Sequence, residues 1–168
     1  MAEMTAGGVV EIVRLFERYS IEFHIDGSWA VDAVLGTQRR SHACLVIAIR
    51  YEDVPRVRAL LNAIGFRELP REEPWECNFV LGDDRGREID VHAYTLDPVA
   101  IPIYGMPYPA GSLTGQGTID GHSVRCVSPE WLVKFRTGIE PDEHDYLDVK
   151  ALCARFGLAV PEEYARFE

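Results

Sequence analysis

The sequence predicts an α+β domain in which a small mixed β-sheet is flanked by helices and followed by a C-terminal helical tail. Three observations carry this. Helix-period and strand-period segments alternate from Val9 to Gly65. Two turn signals, "DDRG" at 83–86 and Asp120-Gly121, each stand between strand-like runs. Ser128-Pro129 then opens a stretch of helical character that runs towards the C-terminus.

Each element has a local reason. "VVEIVRLFERYS" places Val9, Ile12, Val13 and Phe16 on one face, the spacing of an amphipathic first helix. "IEFHID" alternates as a strand and runs into Gly27. "SWAVDAVLG" then reads as a short helix with Ser28 as its N-terminal cap and Gly36 as its stop. "CLVIAI" is a continuous apolar run rich in β-branched residues, as expected of a strand covered on both faces. In "EDVPRVRALLNAIG" the pattern turns Leu60, Leu61 and Ile64 inward, with Gly65 as the stop. "CNFVLGD" and "REIDVHAY" form one predicted hairpin and "GTIDGHSVRCV" another. The glycine- and proline-rich stretch from Pro98 to Gly117 between them is expected to be a long irregular loop over the site. Two helices, "WLVKFRTG" and "DEHDYLDVKALCARFG", complete the chain. A length of 168 residues with 47% hydrophobic content suits one domain, a core over about 1–127 and a helical portion over about 128–168.

Seventeen basic against 27 acidic side chains give a formal net charge of −10, which repels phosphate backbones. Nucleic acid is therefore not an expected partner, whereas a small cationic molecule suits the balance. No apolar run approaches the ~20 residues of a membrane span, and no signal-peptide pattern opens the chain, so a cytoplasmic location and no membrane partner are expected. Cys44, Cys77, Cys126 and Cys153 lack CxxC spacing and are expected to be free thiols. Oligomeric state is not legible.

"HIDGSWAVDAVLGTQRRSHACLVIAI" resembles the opening of the lincosamide and aminoglycoside nucleotidyltransferases, a branch of the DNA polymerase β-like nucleotidyltransferase superfamily. That family's segment runs Gly-Gly-Trp-(Ala/Gly)-x-Asp, Leu-Gly, Thr-Arg-x-His and then Asp-Leu-Asp-Ile-Ala-Ile. Gly27, Ser28, Trp29, Asp32, Leu35, Gly36 and His42 fall in step with it. "GREIDVHAYTLD" is similar to the strand bearing the family's third carboxylate, here Asp90 with its accompanying His92, and the tail from Gly121 to Tyr164 resembles the family's C-terminal helices. The resemblance implies a nucleotidyltransferase-like fold. It also implies that the two remaining family aspartates correspond to Cys44 and Val46.

In such enzymes, by resemblance, three carboxylates hold two Mg²⁺ ions that position a nucleotide triphosphate. Mg²⁺ requires hard oxygen ligands in octahedral geometry, which a thiol and an isopropyl group do not supply. Neither the Mg²⁺ pair nor the nucleotide is therefore expected as a cofactor, and no metal ligand is assigned. Residues two apart on a strand share a face, so His42, Cys44, Asp90 and His92 are the candidate catalytic groups of a repurposed cleft. A Cys44 nucleophile would need a depressed thiol pKa, and packing is its plainer role. A zinc site from His42, Cys44 and His92 has suitable ligand types but no compact metal spacing. Ser28 at a helix start, Trp29, Asp32, Lys134 and Tyr104 are candidate substrate-binding residues. For Trp29 and Asp32 the plainer role is structural, and for Lys134 it is a solvated surface position. Tyr104, Met106 and Tyr108 are read as an apolar lid. The acidic cluster Glu140, Asp142, Glu143, Asp145 and Asp148 reads as a solvated helix start, or as an attraction for amino groups.

Three functions follow. The first is a metal-independent small-molecule enzyme performing a tailoring step such as cyclisation, isomerisation or elimination. The second is a catalytically silent protein that binds a nucleotide or an antibiotic-like ligand. The third is an active nucleotidyltransferase using other ligands, for example Asp26, Asp32 and Asp90.

Overall fold

The structure is a computed structural model and describes residues 3–167. Its centre is an eight-stranded mixed sheet in the order β3-β4-β5-β2-β1-β8-β7, with β6 paired to β5 off this path. Helix α1 (Ala6–Arg18) is opened by the Thr5 side chain, which accepts from Gly8 N, and it buries Val9, Val10, Ile12, Val13 and Phe16. Strand β1 (Phe23–Asp26) leads into α2 (Gly27–Leu35), which ends at Gly36 in the left-handed conformation. Strand β2 (Cys44–Arg50) pairs antiparallel with β1 and parallel with β5 (Glu88–Leu96), so it lies inside the sheet, as its unbroken apolar run requires. Helix α3 (Val54–Ala63), the short β3 (Arg67–Glu68) and β4 (Asn78–Gly82) complete that side, and β4 forms the expected antiparallel hairpin with β5. The hairpin of β7 (Gly115–Ile119) and β8 (His122–Cys126) turns through Asp120 and Gly121, both at positive φ. Helices α4 (Pro129–Lys134) and α5 (Glu143–Phe156) form the tail.

The sheet register sorts the side chains by face. Cα partners Ile25 and Ile47, Leu45 and Ile89, Ile47 and Val91, and Phe79 and Val91 line one face, and all are almost fully buried. Removing each such apolar side chain from water contributes about 1.5–3 kcal/mol. Phe16 of α1 meets Phe23 edge-on at 5.2 Å, and Arg58 of α3 lies 3.8 Å from the Phe79 ring centroid, so these two helices cover that face. The opposite face carries Asp26, Cys44, Val46, Asp90 and His92. It is approached by the segment around Tyr108 and by Phe135 after α4, whose rings meet at 5.7 Å. On the far side of α2, a Cβ on Gly117 would lie 2.3 Å from the Ala33 carbonyl oxygen, so glycine is what lets β7 pass this close to the helix.

Four local readings need correction. The cap of α2 is Asp26, whose Oδ1 accepts from Gly27 N at 2.7 Å, because the helix begins at Gly27, two residues earlier than a Ser28 cap would place it. Ile64 is not inward: α3 ends at Ala63 and Ile64 is exposed, while Val54, Val57 and Leu61 form the buried stripe. The stretch from Pro98 to Gly117 is not wholly irregular. It contains β6 (Pro102–Gly105), a single 3₁₀ turn at Ala110–Ser112 and the start of β7. Pro102 is tolerated because β6 has only β5 as a neighbour. The acidic cluster divides: Asp142 and Asp145 form a reciprocal capping box at the start of α5, whereas Asp148 is buried.

Candidate functional site

Strands β1, β2 and β5 place Asp26, Val46 and Asp90 side by side, since Asp26 pairs with Val46 and Val46 with Asp90. Cys44, two residues before Val46, shares their face, and so does His92, two residues after Asp90. Gly27 sits at φ +66, and a Cβ there would lie 3.0 Å from Val46 Cγ2. The Val46 isopropyl group therefore packs against the turn that starts α2.

A line of hydrogen bonds crosses this face. Asn78 Nδ2 donates to Asp90 Oδ1 at 2.7 Å, and His92 Nε2 lies 3.3 Å from the same oxygen. His92 Nδ1 is 2.8 Å from the Tyr108 hydroxyl, which donates to Asp26 Oδ2 at 2.5 Å. Burial pushes Asp90 up, but the His92 contact and the Asn78 amide outweigh it and hold the carboxyl below its ordinary value. Tyr108 is driven the other way, by burial first and then by the Asp26 charge, so its phenol stays protonated well above the usual range. Asp26, His92 and Tyr108 border a cavity of about 370 Å³ whose wall also includes Gly27, Val46 and Arg136. Larger hollows of about 630 and 830 Å³ lie elsewhere on the sheet, but neither holds these groups.

The structure gathers three of the four candidate catalytic residues and separates the fourth. Cys44, Asp90 and His92 share the face. The Cys44 thiol is pushed up to about 11, by burial first and by the negative charge of Asp90 second, which is the reverse of what a nucleophile needs. His42 belongs to a different cluster: its Nε2 is 2.6 Å from Asp32 Oδ2 and its ring meets Trp29 edge-on at 5.0 Å. The Trp29 indole in turn donates to the Met4 carbonyl at 3.1 Å.

The candidate substrate-binding residues are dispersed. Trp29 and Asp32 are buried, and Asp32 also accepts from Arg39 N at 3.3 Å. Ser28 Oγ is 3.4 Å from Arg40, whose guanidinium also reaches Asp148. Lys134 is exposed, with its ammonium 4.4 Å from the Trp131 ring centroid. Tyr104 donates to Glu76 and meets Tyr51 edge-on, away from the cavity. Tyr108 is no outer lid but a buried member of the line, packed edge-on against Tyr94 at 5.8 Å.

Sequence reasoning missed Asp26 and Tyr108 as parts of one site, because a hydrogen bond between residues 82 apart leaves no local pattern. It placed Asp148 in a solvated helix start, whereas this carboxylate is buried, accepts from Arg40 Nη1 at 2.8 Å and lies 3.3 Å from Arg136 Nη2, with Arg39 as a third partner. Among the described residues no group of three or more His, Cys, Asp or Glu side chains is arranged to hold a metal ion, and no helix is long and apolar enough to cross a membrane.

Comparison with known proteins decides the family. The model of the aminoglycoside-2''-adenylyltransferase family matches residues 8–152. The chain belongs to that family. A lincosamide resistance protein of Staphylococcus haemolyticus is 25% identical to this adenylyltransferase-family chain over 147 residues, which is 84% of the chain and 89% of the relative. The crystal structure of the lincosamide antibiotic adenylyltransferase LnuA, lincomycin-bound, matches with a TM-score of 0.77 at 22% identity, covering 89% of this chain and 97% of that one. ANT(2'')-Ia in complex with adenylyl-2''-tobramycin matches with a TM-score of 0.71 at 19% identity, covering 90% of this chain and 89% of that one. These likenesses establish the nucleotidyltransferase fold for the α+β sheet.

Proposed function

We propose that this member of the family is a metal-independent acid–base enzyme acting on an antibiotic-like small molecule in the cleft over β1, β2 and β5. The observation that carries the reading is the line of Asn78, Asp90, His92, Tyr108 and Asp26, of which His92, Tyr108 and Asp26 border the 370 Å³ cavity. His92 takes or returns a proton at Nε2, and Asp90, 3.3 Å away, stabilises the ring while it is charged. Such a pair serves cyclisation, isomerisation or elimination without a transferred nucleotide.

The residues present do not fit the Mg²⁺ pair that the family resemblance implies. The positions assigned to two of its carboxylates hold a thiol and an isopropyl group. The third, Asp90, already accepts from Asn78 and faces His92. Mg²⁺ would have to replace these contacts while finding its remaining oxygen ligands elsewhere. The family match by itself favours a second reading, adenylyl transfer through Asp26, Asp32 and Asp90. Asp32 is buried against His42 and Arg39, however, and Asp26 is engaged by Gly27 N and Tyr108.

The substrate class follows from what the relatives are named for, lincomycin and tobramycin, and from the acidic balance of this chain. Incubating the protein with each antibiotic in D₂O, without nucleotide, tests the reading by mass spectrometry. An acid–base enzyme leaves solvent deuterium in its substrate or alters its mass, and His92→Ala and Asp90→Asn abolish the change. Binding without exchange identifies a silent binder, and addition of a nucleotidyl group when ATP and Mg²⁺ are supplied contradicts the proposal.

A further inference from the structure

We infer that Tyr108, with Asp26 behind it, is a positioning residue that fixes which nitrogen of His92 carries a hydrogen: Nδ1 is the permanent donor and Nε2 the nitrogen left for proton exchange. The inference rests on the proposed acid–base reading for its purpose, but not for its test.

The argument is one of hydrogen-bond direction. A carboxylate only accepts, so in the 2.5 Å contact with Asp26 Oδ2 the hydrogen belongs to Tyr108. Having donated its only hydrogen, the phenol oxygen can meet His92 Nδ1 at 2.8 Å only as an acceptor, and Nδ1 must supply the hydrogen. The Asp90 carboxylate also faces the ring, but its 3.3 Å distance from Nε2 is the longer of the two, so the shorter contact at Nδ1 holds the single hydrogen of the neutral ring and Asp90 receives one from Nε2 only when the ring is charged. Burial and the Asp26 charge both keep Tyr108 in its protonated form, so this polarity does not reverse over the ordinary pH range. The phenol is also held in place by rings on two sides, Tyr94 at 5.8 Å and Phe135 at 5.7 Å. Asp26 is equally constrained, since its other oxygen caps α2 through Gly27 N. The start of one helix, a buried phenol and a strand histidine therefore form a single directed chain, the kind of arrangement that sets a tautomer.

Two substitutions read the direction. Tyr108→Phe keeps the ring packing and removes the acceptor. Asp26→Asn keeps an oxygen for capping Gly27 N but offers an amide hydrogen to Tyr108, which frees the phenol to donate to Nδ1. Long-range ¹H–¹⁵N spectra of His92, recorded at alkaline pH, assign the protonated nitrogen directly. The wild-type protein is expected to show Nδ1–H, and both variants are expected to shift at least half of the population to Nε2–H. A wild-type ring protonated at Nε2, or variants whose ¹⁵N shifts equal those of the wild type, would overturn the inference. If Tyr108→Phe does not fold, Asp26→Asn decides alone. Turnover lost in His92→Ala while the tautomer is unaltered by Tyr108→Phe would sink this inference and leave the proposed function standing. The converse pattern would sink the function and leave the tautomer assignment.

Discussion

Val46 stands opposite Asp90 in the parallel pairing of β2 and β5. Asp26 flanks Val46 on its other side, so an isopropyl group separates two carboxylates on one sheet face. Replacing Cys44 and Val46 together by Asp would put four carboxylates on that face. Without a cation they repel one another, and the melting temperature of the double variant is expected to fall. Mg²⁺ should restore it and give a calorimetric binding signal that the wild-type protein lacks. A double variant that melts identically with and without Mg²⁺ would show that residues 44 and 46 are not the family's metal positions.

Asp148 gathers three arginines in one ion-pair cluster. Its carboxylate is almost completely buried and collects Arg39, Arg40 and Arg136, joining α5 to the segment after α2. Burial pushes its pKa up, but the Arg40 hydrogen bond and the three guanidinium charges outweigh burial and leave it below 3.8. Asp148→Asn leaves those cations partly unpaired and should cost about 3–5 kcal/mol in urea unfolding at pH 7. Because the folded pKa is depressed, this stabilisation is complete above the unfolded value of 3.8 and is lost as pH falls below it. The stability difference between wild type and Asp148→Asn should therefore shrink as the pH is lowered through that range.

Cys44 should behave as an inert thiol. With its pKa near 11, alkylation by iodoacetamide is expected to be slow at pH 8 and to accelerate as pH approaches 11. An unfolded thiol ionises near the ordinary value of 9.0, so the Cys44 contribution to stability is intact below pH 9 and lost between 9 and about 11. Cys44→Ser should retain any turnover that His92→Ala abolishes. Rapid alkylation at pH 7 would contradict this placement.

The close passage of β7 over α2 has its own test. Gly117→Ala brings a methyl group to 2.3 Å from the Ala33 carbonyl oxygen, and backbone must shift to admit it. A loss of about 1–3 kcal/mol is expected in chemical denaturation. A neutral substitution would mean that β7 and α2 are further apart than described.

Much of the fold was legible because its signals are local. The apolar run of β2, the Asp120-Gly121 turn and the stop at Gly36 each declare themselves within a few residues. The errors arose where tertiary partners outvoted local propensity. β6 forms in a proline-containing stretch because β5 offers it a free edge, and Asp148 leaves the acidic cluster because three arginines from elsewhere converge on it. Within the site, strand periodicity sufficed to put Cys44 on the same face as Asp90 and His92. It failed for His42, which lies before β2 begins and turns to Asp32 and Trp29. Tyr108 had no sequence signal beyond its aromatic character, since its role is defined only by contacts with two distant strands.

The central claim is that this cleft works without a divalent cation, and calorimetric titration with ATP and with GTP, each with and without Mg²⁺, tests it most directly. The account predicts that Mg²⁺ does not enhance the binding of either nucleotide. Binding that appears or strengthens when Mg²⁺ is added would contradict it and return the chain to metal-dependent nucleotidyl transfer.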